Sequence, residues 1–377
     1  MRYLSVIAVV AACGLSVESR PENRVQGPSE SCTNPRIRKE WRSLSIQERK
    51  DYIRATKCMQ SAPSKFNKQF PVAQNRYDDF VALHVSVAVA GPTTPSVGPA
   101  FGGHEEGNIL PWHRYMIQLW EDALISECGW KGGVPYWNWF LDTPSGGGSF
   151  TKSPIFDPDS GFGGNGKKIN STFSLPGATG GGCVDSGPFQ QVVLHIGPSG
   201  LMKLNNNRCL TRNFIPWIVE SDAAKSTLVK ALDSKTFGDF MEQVQRTGHA
   251  HGGIPTMETI FSDLHSIGHY SINGEMGDPL TSINEPLFWL HHGGIDQFWS
   301  VWQDKDPKRL YDLDASPKRN LGAKAGDGLL DMGIFAPNKT VHQVADPLNR
   351  DGSGILCFRY EGLPIERYLE KPKVQSP

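Results

Sequence analysis

Histidine is the residue type whose spacing in this chain points to chemistry. In the stretch 284–302, NEPLFWLHHGGIDQFWSVW, Phe288, His292, Ile295, Trp299 and Trp302 recur at intervals of four, three, four and three. That is one stripe of an α-helix, with an imidazole on its buried face. His84 shares a stripe with Tyr77, Phe80, Val81 and Ala88, and His113 with Leu110, Ile117, Trp120 and Leu124. His265 and His269 are four apart and so neighbours on one helical face. His104 stands in a loop before the His113 helix, close enough in sequence for the loop to fold back over it. A single buried histidine is ordinarily a hydrogen-bonded core residue, but six so placed need another account. They sort into two triplets, His84/His104/His113 and His265/His269/His292. Neutral imidazoles without carboxylate or thiolate suit copper better than iron or magnesium. Two such sites on facing helices leave coordination positions between them for a small bridging molecule such as dioxygen. A dizinc hydrolase is disfavoured, since no carboxylate accompanies the triplets.

The elements that must carry these residues are mostly helical. Ser45 and Glu48 form a capping box for an amphipathic helix with Tyr52, Ile53 and Met59 on one face. The second helix starts near Asn75, and Gly91 and Pro92 end it. The third contains His113. Residues 130–215 lack periodicity and are rich in Gly, which predicts a long surface excursion with turns and a short hairpin laid over the core. Weaker helical patterning fills 214–245, and the His265/His269 helix follows. Asn284 is the expected N-cap of the His292 helix, with Glu285 and Pro286 in its first turn. The segment GILCFRYEG near the C-terminus reads as a strand or extended closure. The chain has neither internal repeats nor heptads of coiled-coil length, so a single domain is expected.

With 38 basic and 39 acidic side chains among 377 residues, nothing here neutralises a phosphate backbone, and nucleic acid is excluded as a partner class. Residues 1–19 have a short positive start, an apolar run and small residues after it. They read as a secretory signal peptide, the run being too short for a membrane anchor. Loss of that segment removes Cys13 and leaves six cysteines, Cys32, Cys58, Cys128, Cys183, Cys209 and Cys357, an even number suited to three disulfides in a secreted chain. Cys183 and Cys209 are expected to pin the excursion. Cys32 could pair with Cys58 or with Cys357. Asn170 and Asn338 stand in glycosylation acceptor patterns.

The stretches LPWHRYMIQLWEDAL and NEPLFWLHHGGIDQFW resemble the two signature segments of the tyrosinase family, the type 3 binuclear copper proteins that include catechol oxidases and haemocyanins. The region around 37–59 and the closing FRYEG resemble the edges of the secreted fungal short-chain members, so the likeness runs from about 32 to 360. It implies a mainly α fold, a central four-helix bundle with long loops and a few short strands, holding two copper ions. By position, copper A takes His84, His104 and His113, and copper B takes His265, His269 and His292. His292 is preferred to its neighbour His291. His249 and His251, two apart in a Gly-rich loop, suit a ligand pair poorly, while His195 and His342 read as satisfied or surface histidines. Asp296, one turn beyond His292, could orient a ligand.

The implied activity uses O2 to oxidise catechols to o-quinones, with monophenols and o-aminophenols as further candidate substrates. A haemocyanin-like oxygen carrier is the alternative. Gly102 stands where many relatives have a cysteine bonded to the second copper-A histidine, so His104 is expected to be unmodified. Ser266 follows the first copper-B histidine where monophenol-hydroxylating members often have Asn, and Glu258 is only a loose candidate for the accompanying acid. With Tyr270 these are the substrate-pocket candidates, and they favour diphenol oxidation over monophenol hydroxylation. The chain stops shortly after FRYEG, so no C-terminal shielding domain is expected.

Overall fold

The computed structural model describes residues 32–89, 108–170, 175–200, 202–204, 206–245, 263–313 and 329–361. Local chemistry sets the helix ends. Helix α1 (Ile46–Ser61) begins with Ser45 Oγ accepting from the Glu48 amide while the Glu48 carboxylate accepts from the Ser45 amide. Helix α2 (Arg76–Val89) carries Asp78 and Asp79 in its first turn, where the helix dipole favours negative charge. Helix α3 (Ile109–Cys128) stops at Gly129, whose φ of 69° is the left-handed conformation that glycine adopts without penalty. Three further helices, α4 (Pro216–Glu220), α5 (Asp222–Asp233) and α6 (Phe237–Val244), lead to α7 (Leu264–Ile272), which Asp263 caps through the Ser266 amide.

Helix α8 runs from Leu287 to Asp304, two residues later than the sequence predicts, and Asn284 is not its cap. Instead the Asn284 side chain donates to Ile196 O and to Glu275 Oε1, at 2.9 and 2.8 Å. The Leu287 amide is met by Glu285 Oε1 at 3.2 Å, and that carboxylate is held by Arg212 at 2.8 and 2.9 Å. A long-range ion pair has taken over from the local cap.

Helices α2, α3, α7 and α8 surround the histidines. The indoles of Trp120 on α3 and Trp289 on α8 stack at 4.3 Å and 3°, and Phe80 of α2 meets both edge-on. Strand β1 (Arg36–Lys39) pairs in parallel with the closing strand Phe358–Glu361, and a Cys32–Cys357 disulfide locks the two ends of the domain together. Cys58–Cys128 joins α1 to the end of α3, and Cys183–Cys209 pins the excursion as expected.

The excursion is not a surface layer. Trp137, Trp139, Phe140, Phe150 and Phe162 are fully buried, and Arg212 is buried with its Nη1 donating to the carbonyls of Phe162, Gly163 and Gly164. Short 3₁₀ turns carry Trp139, Phe140 and Phe150, while Trp137, Phe162 and Arg212 lie in irregular backbone among these turns and two two-stranded pairs (Gly166–Lys168 with Gly181–Val184; Val193–Leu194 with Arg208–Cys209). Neither helical nor strand periodicity can reveal a core built that way.

Beside Trp137 lies an acidic pair with one counter-charge. Arg42 contacts both Glu40 and Asp142, and Trp137 Nε1 donates to Asp142 Oδ2 at 2.7 Å. Burial outweighs Arg42 and pushes Asp142 up to about 6. The folded state thus holds a proton more tightly than the unfolded chain does. The stability this contributes is complete below about pH 4 and is lost as the pH rises through about 6. Asp142→Asn, which keeps an acceptor for the indole, is expected to flatten the stability profile between pH 4 and 7 by on the order of 2 kcal/mol. Thermal unfolding of both proteins across that range checks it, and parallel pH profiles would refute it.

Candidate metal centre

At the middle of the four helices, five imidazoles converge. His84 lies on α2, His113 on α3, His265 and His269 on α7, and His292 on α8. All but His265 are buried. His269 Nε2 is 3.0 Å from His265 Nε2 and 3.2 Å from His292 Nε2. His113 stacks on His292 at 4.1 Å and 11°, and His84 meets His113 at 5.9 Å between ring centroids. The sixth sequence candidate, His104, lies outside the described residues, as do Gly102, His249, His251 and Glu258.

The ring orientations are fixed from behind. His84 Nδ1 donates to Leu280 O at 2.8 Å, His113 Nδ1 to Ile109 O at 2.7 Å and His269 Nδ1 to Met276 O at 2.8 Å. A proton held on Nδ1 leaves the lone pair on Nε2, the tautomer a metal needs. Burial depresses His84 and His269 to about 4 and His113, His291 and His292 well below the usual histidine range, so the rings are neutral donors at physiological pH. Phe288 packs against the cluster, its ring 4.2 Å from His292 and 5.3 Å from His84.

This donor set fits a soft-to-borderline metal ion. Metal–imidazole bonds of roughly 2.0–2.1 Å in a tetrahedral arrangement place neighbouring nitrogens about 3.3 Å apart. The 3.0 and 3.2 Å separations around His269 Nε2 are close to that spacing. His291 also reaches the cluster: one ligand atom from each of His265, His269, His291 and His292 lies within 4.8 Å of the others. Its Nε2, however, makes a 3.0 Å hydrogen bond to the backbone carbonyl of His265, and its ring fills the space above Gly268.

The remaining candidates lie around this centre. Ser266 is buried beside His265, and Tyr270 packs, partly buried, against the core. Among the described residues, Asp296 makes no hydrogen bond to an imidazole. Its carboxylate accepts from Arg114 Nε and from the Tyr360 hydroxyl, both at 2.5 Å, with Arg38 at 3.6 Å. His195 is held by Asp78 at 2.7 Å, and His342 stacks on Tyr311 at 4.3 Å. Sequence reasoning missed Arg114 and the carbonyls of Ile109, Met276 and Leu280. Only Arg114 had a side-chain signal, a cation on a buried helical face next to His113.

A helical core that gathers neutral imidazoles from four helices around one point defines a histidine-ligated metalloprotein. Residues 74–305 match the family described as the common central domain of tyrosinase. Tyrosinase P of Aspergillus terreus is 30% identical, over 95% of this chain and 99% of its own. The N-acetyl-6-hydroxytryptophan oxidase of Emericella nidulans is also 30% identical, with 87% and 93% covered. Among solved structures, a polyphenol oxidase variant from Thermothelomyces thermophila superposes with a TM-score of 0.68 at 28% identity, covering 87% of this chain and 89% of its own. A functional unit of octopus haemocyanin shares the fold at a TM-score of 0.52 and 19% identity, with 86% and 67% covered. The chain belongs to the tyrosinase family and is an enzyme of the polyphenol oxidase type.

Proposed function

We propose that this protein is a secreted binuclear copper oxidase that uses O2 to convert o-diphenols into o-quinones. The observation that carries the reading is the convergence of His84, His113, His265, His269 and His292, with Nδ1 of three rings tied to backbone carbonyls. Copper A would be held by His84, His113 and His104, and copper B by His265, His269 and His292. The metal pair supplies two-electron redox chemistry with dioxygen, and the chain does the rest. Burial keeps His84, His113, His269 and His292 neutral, and Phe288 packs its ring against these four imidazoles. Secretion is supported by the signal-like residues 1–19 and by the three disulfides. Asn170 is exposed and open to glycosylation. Asn338, whose Oδ1 accepts from the Met332 amide, is the less accessible acceptor of the two.

Copper stoichiometry, the near-ultraviolet spectrum after peroxide addition, and turnover of catechol and tyrosine on one sample test the reading. Two coppers per chain with rapid catechol oxidation are expected. Two coppers without turnover would identify an oxygen carrier, and zinc or no metal would sink the copper assignment. Ser266 sets a second expectation. An amide there would orient a water toward an incoming monophenol, whereas the short hydroxyl beside His265 cannot reach as far. Ser266→Asn is expected to raise the tyrosine-to-catechol turnover ratio about three- to tenfold, below the ~10²-fold of a complete general base. An unchanged ratio counts against this role for position 266.

A further inference from the structure

Between α7 and α8 runs a connecting segment, 273–286, that touches one histidine from each triplet. Its Met276 carbonyl accepts from His269 Nδ1 and its Leu280 carbonyl from His84 Nδ1, both at 2.8 Å. The backbone at Leu280 lies outside any regular element, so no helical ladder fixes that carbonyl. Asp278 does. Its Oδ1 accepts from the Leu280 and Thr281 amides at 2.9 and 3.1 Å, and its main-chain carbonyl accepts from the Ser282 amide at 2.8 Å. A carboxylate that closes a turn on the amides two and three residues ahead sets the direction of the peptide planes between them.

The other carboxylate oxygen reaches a second segment. Asp278 Oδ2 accepts from the Ser199 amide at 2.5 Å. Ser199 has a φ of 53°, a conformation costly for a residue with a side chain and therefore one that its surroundings must enforce. Next to it, Gly200 packs so closely that an added Cβ would lie 2.9 Å from Leu280 Cδ1 and 3.3 Å from Val85 Cγ1. At its other end this strap is tied to the start of α2, where His195 Nδ1 meets Asp78 Oδ2 at 2.7 Å. The strap 195–200 thus spans from the first turn of α2 to Asp278 and passes over Val85, the residue after His84.

We propose that Asp278 is a positioning residue for His84: it holds the turn and the strap that present the Leu280 carbonyl to the ring, and so couples His84 to the segment that also orients His269. The proposal rests on the reading of His84 as a copper ligand. Removing the carboxylate leaves His84 in place but lets its ring rotate, so one copper should be lost and the other kept.

The experiment is a copper titration of the full secreted chain as wild type, Asp278→Ala, Asp278→Glu and Asp278→Asn, with far-ultraviolet circular dichroism and the Tm of each metal-free protein. Ala is expected to weaken one of the two coppers by about 10–100-fold, the range for losing a partner behind a metal ligand, with the peroxide-dependent band falling in step. Glu keeps the charge but holds its carboxylate one methylene too far out, so it should show the same single loss in a folded protein, which keeps the test decisive if Ala does not fold. Asn retains the Oδ1 acceptor and should restore most of the affinity. Folded Ala or Glu variants that bind both coppers as tightly as wild type would overturn the role of Asp278, as would a drop in metal-free Tm with no change in copper affinity. A wild type that binds no copper would remove the functional reading itself.

Discussion

Replacing His292 with alanine is expected to release one copper per chain and to abolish catechol oxidation, whereas His291→Ala keeps both coppers. The two residues are adjacent, both are buried, and both reach the cluster around His269. What separates them is where their nitrogens point. His292 Nε2 sits 3.2 Å from His269 Nε2 and shares a focus with it, and its ring stacks on His113 from the opposing helix. His291 has committed Nε2 to the carbonyl of His265 and packs its ring against Gly268. Loss of His292 therefore deletes a donor atom, and its effect should exceed the ~10–100-fold that follows loss of a partner behind a ligand. Loss of His291 removes a hydrogen bond and leaves a cavity, a cost of about 2–4 kcal/mol to stability and a modest fall in activity through displacement of His265. Metal analysis of the two purified variants distinguishes them. Should His291→Ala lose the copper and His292→Ala retain it, the assignment of this doublet is reversed.

The difference between these neighbours was only half legible in the sequence. The stripe through Phe288, Ile295 and Trp299 passes through His292 and leaves His291 about 100° away, yet both neighbours could reach inward and the preference for His292 rests on the resemblance to the tyrosinase family; the helix buries both. His84 and His113 were legible from stripes of the same kind, each on a face whose other members are aromatic or aliphatic. The capping box at Ser45 and Glu48 is a local device and was readable as one. What stayed hidden is non-local or backbone in origin. Trp139 and Phe150 sit in 3₁₀ turns and Trp137 in the irregular stretch before the first of them, with no period to betray burial. Asn284 looked like a cap because Asn, Glu and Pro suit a helix start, yet Arg212 across the molecule held Glu285 and shifted that start to Leu287. Cys32 had two plausible partners, and only the pairing of the terminal strands chose Cys357. The carbonyls that hold the imidazoles have no side-chain signature.

Arg114 and Asp296 are expected to give the largest stability effect of any pair in the core. Arg114 follows His113 on α3, Asp296 lies one turn beyond His292 on α8, and their contact at 2.5 Å ties the two helices together just outside the metal centre. Both side chains are essentially fully buried, so breaking the pair strands a charge that water cannot reach. Arg114 also donates to the carbonyls of Val344 and Ala345 and to Gln303, while Asp296 accepts from Tyr360 of the closing strand with Arg38 nearby. The two halves should therefore differ. Asp296→Leu leaves Arg114 without its carboxylate and deprives Arg38 of one of two acidic neighbours, Glu121 remaining, for an expected cost of about 3–5 kcal/mol. For a chain of this length that corresponds to a fall in Tm of about 4–7 °C. Arg114→Met leaves Asp296 its Tyr360 and Arg38 partners and leaves the Ala345 carbonyl its Gln303 donor, but it uncovers the Val344 carbonyl and Gln303 Oε1 at about 1–3 kcal/mol each, so its cost is similar and its origin different. In the Arg114→Met/Asp296→Leu double variant the stranded guanidinium is gone but the uncovered acceptors on Val344 and Gln303 remain, so it should lie near the less stable single variant rather than at the sum. Thermal or urea unfolding of the four proteins measures this, and additive single effects would show that the ion pair does not join the two helices.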